Sequence, residues 1–114
     1  MSFVLFVCEF LCENEEFWKD VQVVKLLQQI LDGMICLHQR NIIHRDLKPG
    51  NILLHCAVDS DDSDIRFERL EIKITDFGFS KEMGQPGSYV NTELGTRLYM
   101  SPETYGGRYS LPSD

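Results

Sequence analysis

Blocks of apolar and polar positions predict the main elements of the chain. Residues 2–11 form a nearly continuous apolar run, which is typical of a buried strand. Asp20 is a candidate N-cap, and the apolar residues after it recur at helical spacing. This spacing predicts a long helix with one face packed against a core. That predicted core face consists of Val23, Leu27, Ile30, Met34 and Leu37.

Short strands and long loops are predicted for the rest of the chain. Residues 52–54 are apolar and predict a short buried strand, while residues 71–75 alternate in polarity and predict a second one. Between them, residues 55–70 contain the run DSDDSD, which predicts a solvated loop. Residues 79–100 are rich in glycine and hydroxyl side chains without strong periodicity, which also indicates a loop. The pattern favours an α+β fold.

The composition of the chain argues against some classes of binding partner. A chain of 114 residues with 43% hydrophobic content can bury one modest core. Its net charge of −7 argues against non-specific binding to nucleic acid or to anionic membranes, because both use clustered Lys and Arg. The apolar run at 2–11 is too short to span a bilayer, so no membrane insertion is expected. The four cysteines show no C-x-x-C spacing and no secretory signal precedes them. They favour reduced thiols in the cytosol or nucleus.

Two motifs carry the candidate chemistry. The sequence HRDLKPGN occupies residues 44–51, and Asp-Phe-Gly follows at 76–78, directly after the second predicted strand. The first motif fixes seven of eight positions, so a chance match at any one start is on the order of one in a billion. Phosphoryl transfer requires an acid/base carboxylate, a phosphate-reaching lysine and oxygen ligands for magnesium. The two motifs contain all of these residue types.

On these motifs the chain resembles the middle of a eukaryotic protein kinase domain, over about residues 2–114. Leu-Lys-Pro at 47–49 is similar to serine/threonine kinases rather than to tyrosine kinases. The resemblance implies a partial kinase-like α+β fold with a hinge strand, a long C-lobe helix, catalytic-loop hairpins and an activation segment. The N-lobe and the late C-lobe helices would be missing. Residues 1–12 would then be the last N-lobe strand and the hinge, and residues 13–114 the first half of the C-lobe.

The resemblance implies roles for five motif residues. Asp46 would orient the acceptor hydroxyl and accept its proton, and Lys48 would stabilise the transferring phosphate. Asn51 and Asp76 would bind magnesium through their side-chain oxygens and so help to hold the nucleotide. His44 is expected to pack against the Asp-Phe-Gly motif and to take no part in proton transfer.

Further residues are implied to bind ATP. The backbone of Glu9 and Leu11 would hydrogen-bond the adenine edge. The carboxylate of Glu15 matches a ribose-binding position, and Leu53 would lie beneath the adenine ring. ATP and Mg²⁺ are therefore the expected cofactors.

The resemblance also implies residues for regulation and for substrate binding, in the segment that resembles an activation loop and next to it. Arg45 has a guanidinium suited to bidentate phosphate binding, and Thr92 matches the activating phosphorylation site of the family. Thr96 matches the threonine that hydrogen-bonds the catalytic aspartate and lysine. The expected partners are a protein substrate with a Ser/Thr acceptor and an upstream activating kinase.

The favoured hypothesis is a serine/threonine protein kinase that transfers the γ-phosphate of ATP to protein hydroxyls. The glycine-rich loop and the strand-three lysine of the family do not occur in residues 1–114, so we expect this chain alone to transfer phosphate weakly or not at all. One alternative is a truncated, non-catalytic kinase-like chain that binds a partner or competes with an intact kinase. Another is a nucleotide-binding module without transfer activity.

Overall fold

A computed structural model describes most of the chain, in five stretches: residues 2–6, 20–57, 70–85, 88–91 and 95–114. These stretches contain one α-helix, short antiparallel strands and several short 3₁₀ helices. None of the helices in the described stretches is long and apolar enough to cross a membrane. The described elements belong to the α+β class that the sequence predicts.

The described residues divide into two compact units. The first unit lies within Met1–Gly33 and Pro49–Thr75, and the second lies within Met34–Lys48 and Asp76–Asp114. The motif HRDLKPGN is split between them, because its last residues, from Pro49 onward, belong to the first unit.

A three-stranded antiparallel sheet forms the first unit. Its strands are β1 (Ser2–Phe6), β3 (Ile52–Ala57) and β4 (Leu70–Ile74), with β3 in the centre. Ile52 and Leu54 are both buried, as expected for alternate positions on one face of a strand. Both strands predicted from residues 52–54 and 71–75 are confirmed. The strand predicted at 2–11 is present over its first half, and its remainder lies outside the described residues.

The helix α1 (Asp20–His38) contacts this sheet through its residues up to Gly33. The side-chain amide of Gln29 donates to the Leu70 carbonyl at 3.2 Å and accepts from the Ile72 N–H at 2.8 Å. A Cβ at Gly33 would lie 2.9 Å from the Ile74 side chain. The glycine and the amide together allow the helix to lie close to β4.

The prediction of which α1 side chains are buried is partly wrong. Met34 is buried, but Val23 and Leu27 are exposed, and Leu26 is buried in their place. The reason is that α1 is apolar around more than half of its circumference, since Val24, Leu31 and Ile35 form a second, exposed apolar stripe. Spacing alone could not show which stripe faces the sheet. The helix also begins at Asp20 itself, one residue earlier than an N-cap there would place it.

The second unit is built from pairs of very short strands. β2 (Ile42–Ile43) pairs with β5 (Lys81–Glu82), and β6 (Val90–Asn91) pairs with β7 (Arg108–Tyr109). Its buried apolar cluster consists of Ile43, Met83 and Tyr109, with Val90 and Leu111 packed against it. The segment at 79–100, predicted to be a loop, therefore contributes two short strands as well as the 3₁₀ turn Arg97–Tyr99.

Candidate active site

The centre of the candidate site is a closed hydrogen-bond triangle in the second unit. The Thr96 hydroxyl donates to Asp46 Oδ1 at 2.7 Å and accepts from Lys48 Nζ at the same distance. Lys48 Nζ also lies 3.1 Å from Asp46 Oδ2. Both carboxylate oxygens thus have a partner, and the triangle contains the contact that the resemblance implies for Thr96.

The two charged side chains of the triangle differ in their exposure to solvent. The Asp46 side chain is 5% exposed, whereas Lys48 keeps 27% of its side-chain surface in solvent. An ammonium group has three N–H donors, and its contacts with Asp46 and Thr96 use two of them. A phosphate oxygen that approaches from the solvent side can therefore accept the third. The arrangement holds a carboxylate and a cation ready for a proton and an anion, respectively.

Gly95 brings Thr96 close to the loop that contains Arg45 and Asp46. Its φ is +109°, a conformation that residues with a side chain rarely adopt, and a Cβ there would lie 2.6 Å from the Arg45 carbonyl oxygen. Both observations require glycine at this position. The backbone approach it allows sets the register in which Thr96 reaches Asp46.

The Asp114 side chain anchors the backbone of His44 and Arg45. The Asp114 carboxylate accepts from the His44 N–H and from the Arg45 N–H, both at 2.8 Å. Arg45 has a left-handed backbone with φ of 70°, which is unfavourable for a residue with a side chain. The two bonds hold the loop in that conformation. We did not predict a positioning role for Asp114 from the sequence, and no local signal could have shown it, because it lies 69 positions after Arg45 in the chain.

His44 is fully buried and packs as predicted. Its ring lies 5.1 Å from the ring of Phe77 at an interplanar angle of 67°, an edge-to-face contact. Its Nδ1 accepts from the Asp46 N–H at 3.2 Å, which places the ring proton of neutral His44 on Nε2. The ring therefore fixes the backbone of Asp46 and has no lone pair at Nδ1 to offer a substrate.

Arg45 contacts the segment after Asp-Phe-Gly. Its Nε donates to the Phe79 carbonyl at 2.5 Å, and its guanidinium lies 5.6 Å from the centre of the Tyr109 ring. β7, which contains Tyr109, pairs with β6, the strand that directly precedes Thr92. Thr92 itself lies outside the described residues. Binding of a phosphate by Arg45 stays a prediction.

The predicted magnesium ligands belong to different units. Asp76 is exposed, has φ of 61°, and accepts from the Gly78 N–H at 3.4 Å. Asn51 is buried, and its backbone carbonyl accepts from the Thr75 N–H at 2.9 Å. Magnesium is commonly bound through one or two carboxylates together with substrate phosphates, so these oxygen donors fit it chemically. Across the described stretches there is no cluster of three or more His, Cys, Asp or Glu side chains that could hold a metal.

The other predicted nucleotide contacts are described only in part. Leu53 lies half-buried in β3, between its register partners Phe6 and Lys73. Three further predicted residues lie outside the described residues: Glu9, Leu11 and Glu15.

Two carboxyl groups away from the triangle have lowered pKa values. A hydrogen bond from Lys73, and then the lysine charge, lower the pKa of Glu71. The pKa of Glu103 is lowered by a backbone hydrogen bond and by the Ser113 hydroxyl, which donates to Glu103 Oε1 at 3.0 Å. Both glutamates are at the surface, and their ionised forms serve local structure.

Known protein kinases are similar in sequence to this chain. A family model described as the protein kinase domain matches residues 6–114. Mitogen-activated protein kinase kinase 2 of Arabidopsis thaliana is 40% identical over 87% of this chain and 26% of its own length. Serine/threonine-protein kinase nekl-2 of Caenorhabditis elegans is 38% identical over 87% of this chain and 25% of its own length. The probable serine/threonine-protein kinase fhkE of Dictyostelium discoideum is 41% identical over 76% of this chain and 11% of its own length. The chain thus spans about a quarter or less of these relatives.

Proposed function

This chain belongs to the protein kinase family, and from that premise we propose that it is the catalytic-loop part of a kinase that phosphorylates serine or threonine in proteins. The observation that carries the proposal is the closed triangle of Asp46, Lys48 and Thr96. Support for the acceptor type comes from Leu-Lys-Pro at 47–49 and from the printed names of its relatives, which include serine/threonine kinases.

Each residue of the triangle has one proposed role in the reaction. Asp46 accepts the proton of the acceptor hydroxyl, and its bond from Thr96 fixes the direction in which the carboxylate presents its second oxygen. Lys48 neutralises charge on the transferring phosphoryl group, which spreads negative charge over three oxygens in the transition state. Thr96 connects these two groups and keeps them in one geometry.

ATP and Mg²⁺ belong to the proposal as cofactors. When bound, magnesium neutralises charge on the nucleotide phosphates. Asn51 and Asp76 would hold it through their side-chain oxygens. Glu9, Leu11, Glu15 and Leu53 would contact the adenosine.

Regulation by phosphorylation at Thr92 is the proposed use of Arg45. A phosphate there adds about −1.5 to −2 charges, and a guanidinium can bind it through two parallel hydrogen bonds. We expect phosphorylation by an upstream kinase to raise activity, and Thr92→Ala to remove that increase. Ser88→Ala, in the same segment, is the control. Equal activation of native and Thr92→Ala protein would contradict the switch.

Phosphate transfer itself is tested on the complete expressed polypeptide that carries residues 1–114. We expect it to transfer ³²P from Mg²⁺-ATP to serine and threonine of a general acceptor protein such as casein, as identified by phosphoamino-acid analysis. Asp46→Asn should abolish the transfer, and Asp32→Asn on the exposed side of α1 should not. Phosphotyrosine as the product would contradict the proposed acceptor.

The same assay separates the competing hypotheses. A polypeptide that binds ATP but phosphorylates nothing would favour a binding or competing role over catalysis. The isolated 114-residue chain should transfer phosphate weakly or not at all, because its sequence contains no glycine-rich phosphate loop. Robust transfer by that chain would contradict this expectation.

A further inference from the structure

A tyrosine side chain connects two short 3₁₀ helices of the second unit. The Tyr105 hydroxyl, in the helix Pro102–Gly106, donates to the Arg97 carbonyl at 2.7 Å. Arg97 begins the turn Arg97–Tyr99, which directly follows Thr96 of the triangle. One hydrogen bond from a side chain therefore joins Pro102–Gly106 to the backbone next to the candidate active site.

The backbone of the turn Arg97–Tyr99 has one ordinary and one weak hydrogen bond. The Tyr99 N–H donates to the Thr96 carbonyl at 2.9 Å. The Met100 N–H donates to the Arg97 carbonyl at 3.3 Å, which is beyond the usual range for an N–H···O bond. The end of the turn is therefore fixed less firmly by its own backbone than its beginning.

Packing adds little to this turn, so the bond from Tyr105 matters more. None of the three residues of the turn is buried, and Leu98 is 90% exposed. The bond from the Tyr105 hydroxyl to the Arg97 carbonyl, at 2.7 Å, has the ordinary length of an O–H···O bond. Of the two described donors to that carbonyl, Tyr105 is therefore the one at an ordinary bonding distance.

The helix that contains Tyr105 is firmly placed. Its neighbour Thr104 is buried, and the N–H and the hydroxyl of Thr104 both donate to the Ser101 carbonyl, at 3.0 and 2.6 Å. The Thr104 carbonyl accepts from the Gly107 N–H at 2.9 Å. Tyr105 thus extends from an anchored segment to an exposed one, and its hydroxyl restricts the movement of the exposed one.

The exposed turn lies beside the path of an acceptor polypeptide. Thr96 bonds to both Asp46 and Lys48, and the turn begins one residue after it. Consecutive Cα atoms are only about 3.8 Å apart, so the residues beside a serine or threonine at Asp46 come within reach of the turn. A turn that already has the shape required for binding loses less conformational entropy when the acceptor binds.

We propose that Tyr105 is a positioning residue for the acceptor polypeptide: its hydroxyl holds the turn Arg97–Tyr99 in the shape that binds the residues next to the acceptor serine or threonine. The proposal rests on the kinase function proposed above. It assigns Tyr105 no contact with ATP, magnesium or the acceptor hydroxyl. Thr96 keeps its own bonds to Asp46 and Lys48, so the chemical step should not depend on Tyr105.

The chain provides a matched control in Tyr89. This residue is 54% exposed, against 53% for Tyr105. The guanidinium carbon of Arg108 lies 4.6 Å from the centre of the Tyr89 ring, and phenylalanine keeps that contact. Tyr105→Phe and Tyr89→Phe therefore remove the same hydroxyl from a similar level of exposure, and only the first removes the bond to Arg97.

The first experiment measures hydrogen exchange of the Met100 amide by NMR in the complete polypeptide. Tyr105→Phe should speed this exchange about three- to tenfold, because the Arg97 carbonyl loses the bond that restrains it. Tyr89→Phe should keep the native rate. The Thr104 amide, in the anchored helix, should exchange at its native rate in both variants.

The second experiment measures steady-state kinetics with casein as the acceptor. Tyr105→Phe should raise the KM for casein about three- to tenfold and leave kcat and the KM for ATP unchanged, because a looser turn weakens acceptor binding without altering the reacting groups. Tyr105→Leu, which also lacks the hydroxyl, should give the same changes. Tyr89→Phe should have native constants.

Three results would overturn the proposal. The first is native exchange at Met100 in Tyr105→Phe, and the second is a native KM for casein in a variant whose Met100 amide exchanges faster. The third is a lower kcat in Tyr105→Phe, which would mean that the hydroxyl acts on the triangle instead.

The exchange readout does not require turnover, so the two proposals fail separately. A native polypeptide without transfer activity, but with the expected exchange pattern, would refute the kinase function and would leave the link from Tyr105 to the turn supported. An active polypeptide with native exchange at Met100 in Tyr105→Phe would refute the positioning role alone.

Discussion

The two units hold their candidate functional residues by different physical means. In the first unit, Leu53 lies in β3, a strand that pairs on both sides and buries Ile52 and Leu54, and Asn51 directly precedes that strand. In the second unit the strands have only two residues each, and Asp46 and its neighbours are held by side chains bonded to the backbone. Backbone pairing is distributed over many bonds, whereas a buried carboxylate concentrates its effect in one residue.

This difference predicts where single substitutions act. In the sheet, the backbone hydrogen bonds of many residue pairs hold each strand in place. Truncation of one buried side chain there therefore lowers the stability of the whole unit, because apolar surface is no longer buried. A polar residue of the second unit controls one geometry, so its loss lowers activity more than stability. The predictions below address this contrast.

Asp46→Asn should give the largest effect. It removes the proposed proton acceptor but keeps the shape of the side chain, so we expect transfer to fall by about 10²- to 10⁴-fold. The midpoint of urea unfolding should change little. Asp32→Asn removes the same charge from an exposed position and should leave both quantities near native values. A loss of stability that accounts for the lost activity would contradict the contrast between the units.

Leu54→Ala tests the first unit. The side chain is buried in the central strand, so its truncation should lower the free energy of unfolding by about 2–5 kcal/mol. Leu31→Ala, on the exposed stripe of α1, should cost no more than about 0.5 kcal/mol. Chemical denaturation followed by circular dichroism measures both. Similar costs for the two variants would show that burial in the sheet does not stabilise this unit.

Gly95→Ala tests backbone geometry in the second unit. At φ of +109°, with the Arg45 carbonyl 2.6 Å from the added Cβ, alanine should destabilise by about 1–3 kcal/mol. It should also lower kcat, because Thr96 is displaced from Asp46. Gly84→Ala is the control, since a Cβ there meets nothing within 4 Å. A native kcat in Gly95→Ala would mean that this close approach does not position Thr96.

Patterns within short segments of the sequence predicted the strands and the helix, because the spacing of apolar residues within each segment determines these elements. Strands β3 and β4 and the helix follow from spacing, and the motif identified Asp46, Lys48 and Asp76 as site residues. The roles of these residues stay predictions. The buried face of α1 could not be predicted fully, because an apolar pattern around most of a helix does not say which neighbour covers which side.

Contacts between residues far apart in the chain could not be predicted from the sequence. The anchor at Asp114 brings together residues 69 positions apart, and nothing in either segment indicates the other. The left-handed backbone of Arg45 has no sequence signal either, because arginine has no preference for that region. It is imposed by the surrounding bonds. The triangle with Thr96 was reached only through the resemblance to kinases.

The smallest effect is expected from the exposed charge cluster on the sheet. Lys73 lies 3.1 Å from Glu71 and lowers its pKa below the ordinary value of 4.5, so this contact contributes stability above about pH 4.5 and loses it as the pH falls through the lowered pKa. Glu71→Gln should therefore be slightly less stable than native protein at pH 7, and the difference should disappear in the acid range and in high salt. Urea midpoints from pH 7 to pH 3 measure it. A difference that persists at pH 3 would show that Glu71 acts by packing rather than by charge, and the first unit would then depend on single polar residues as the second does.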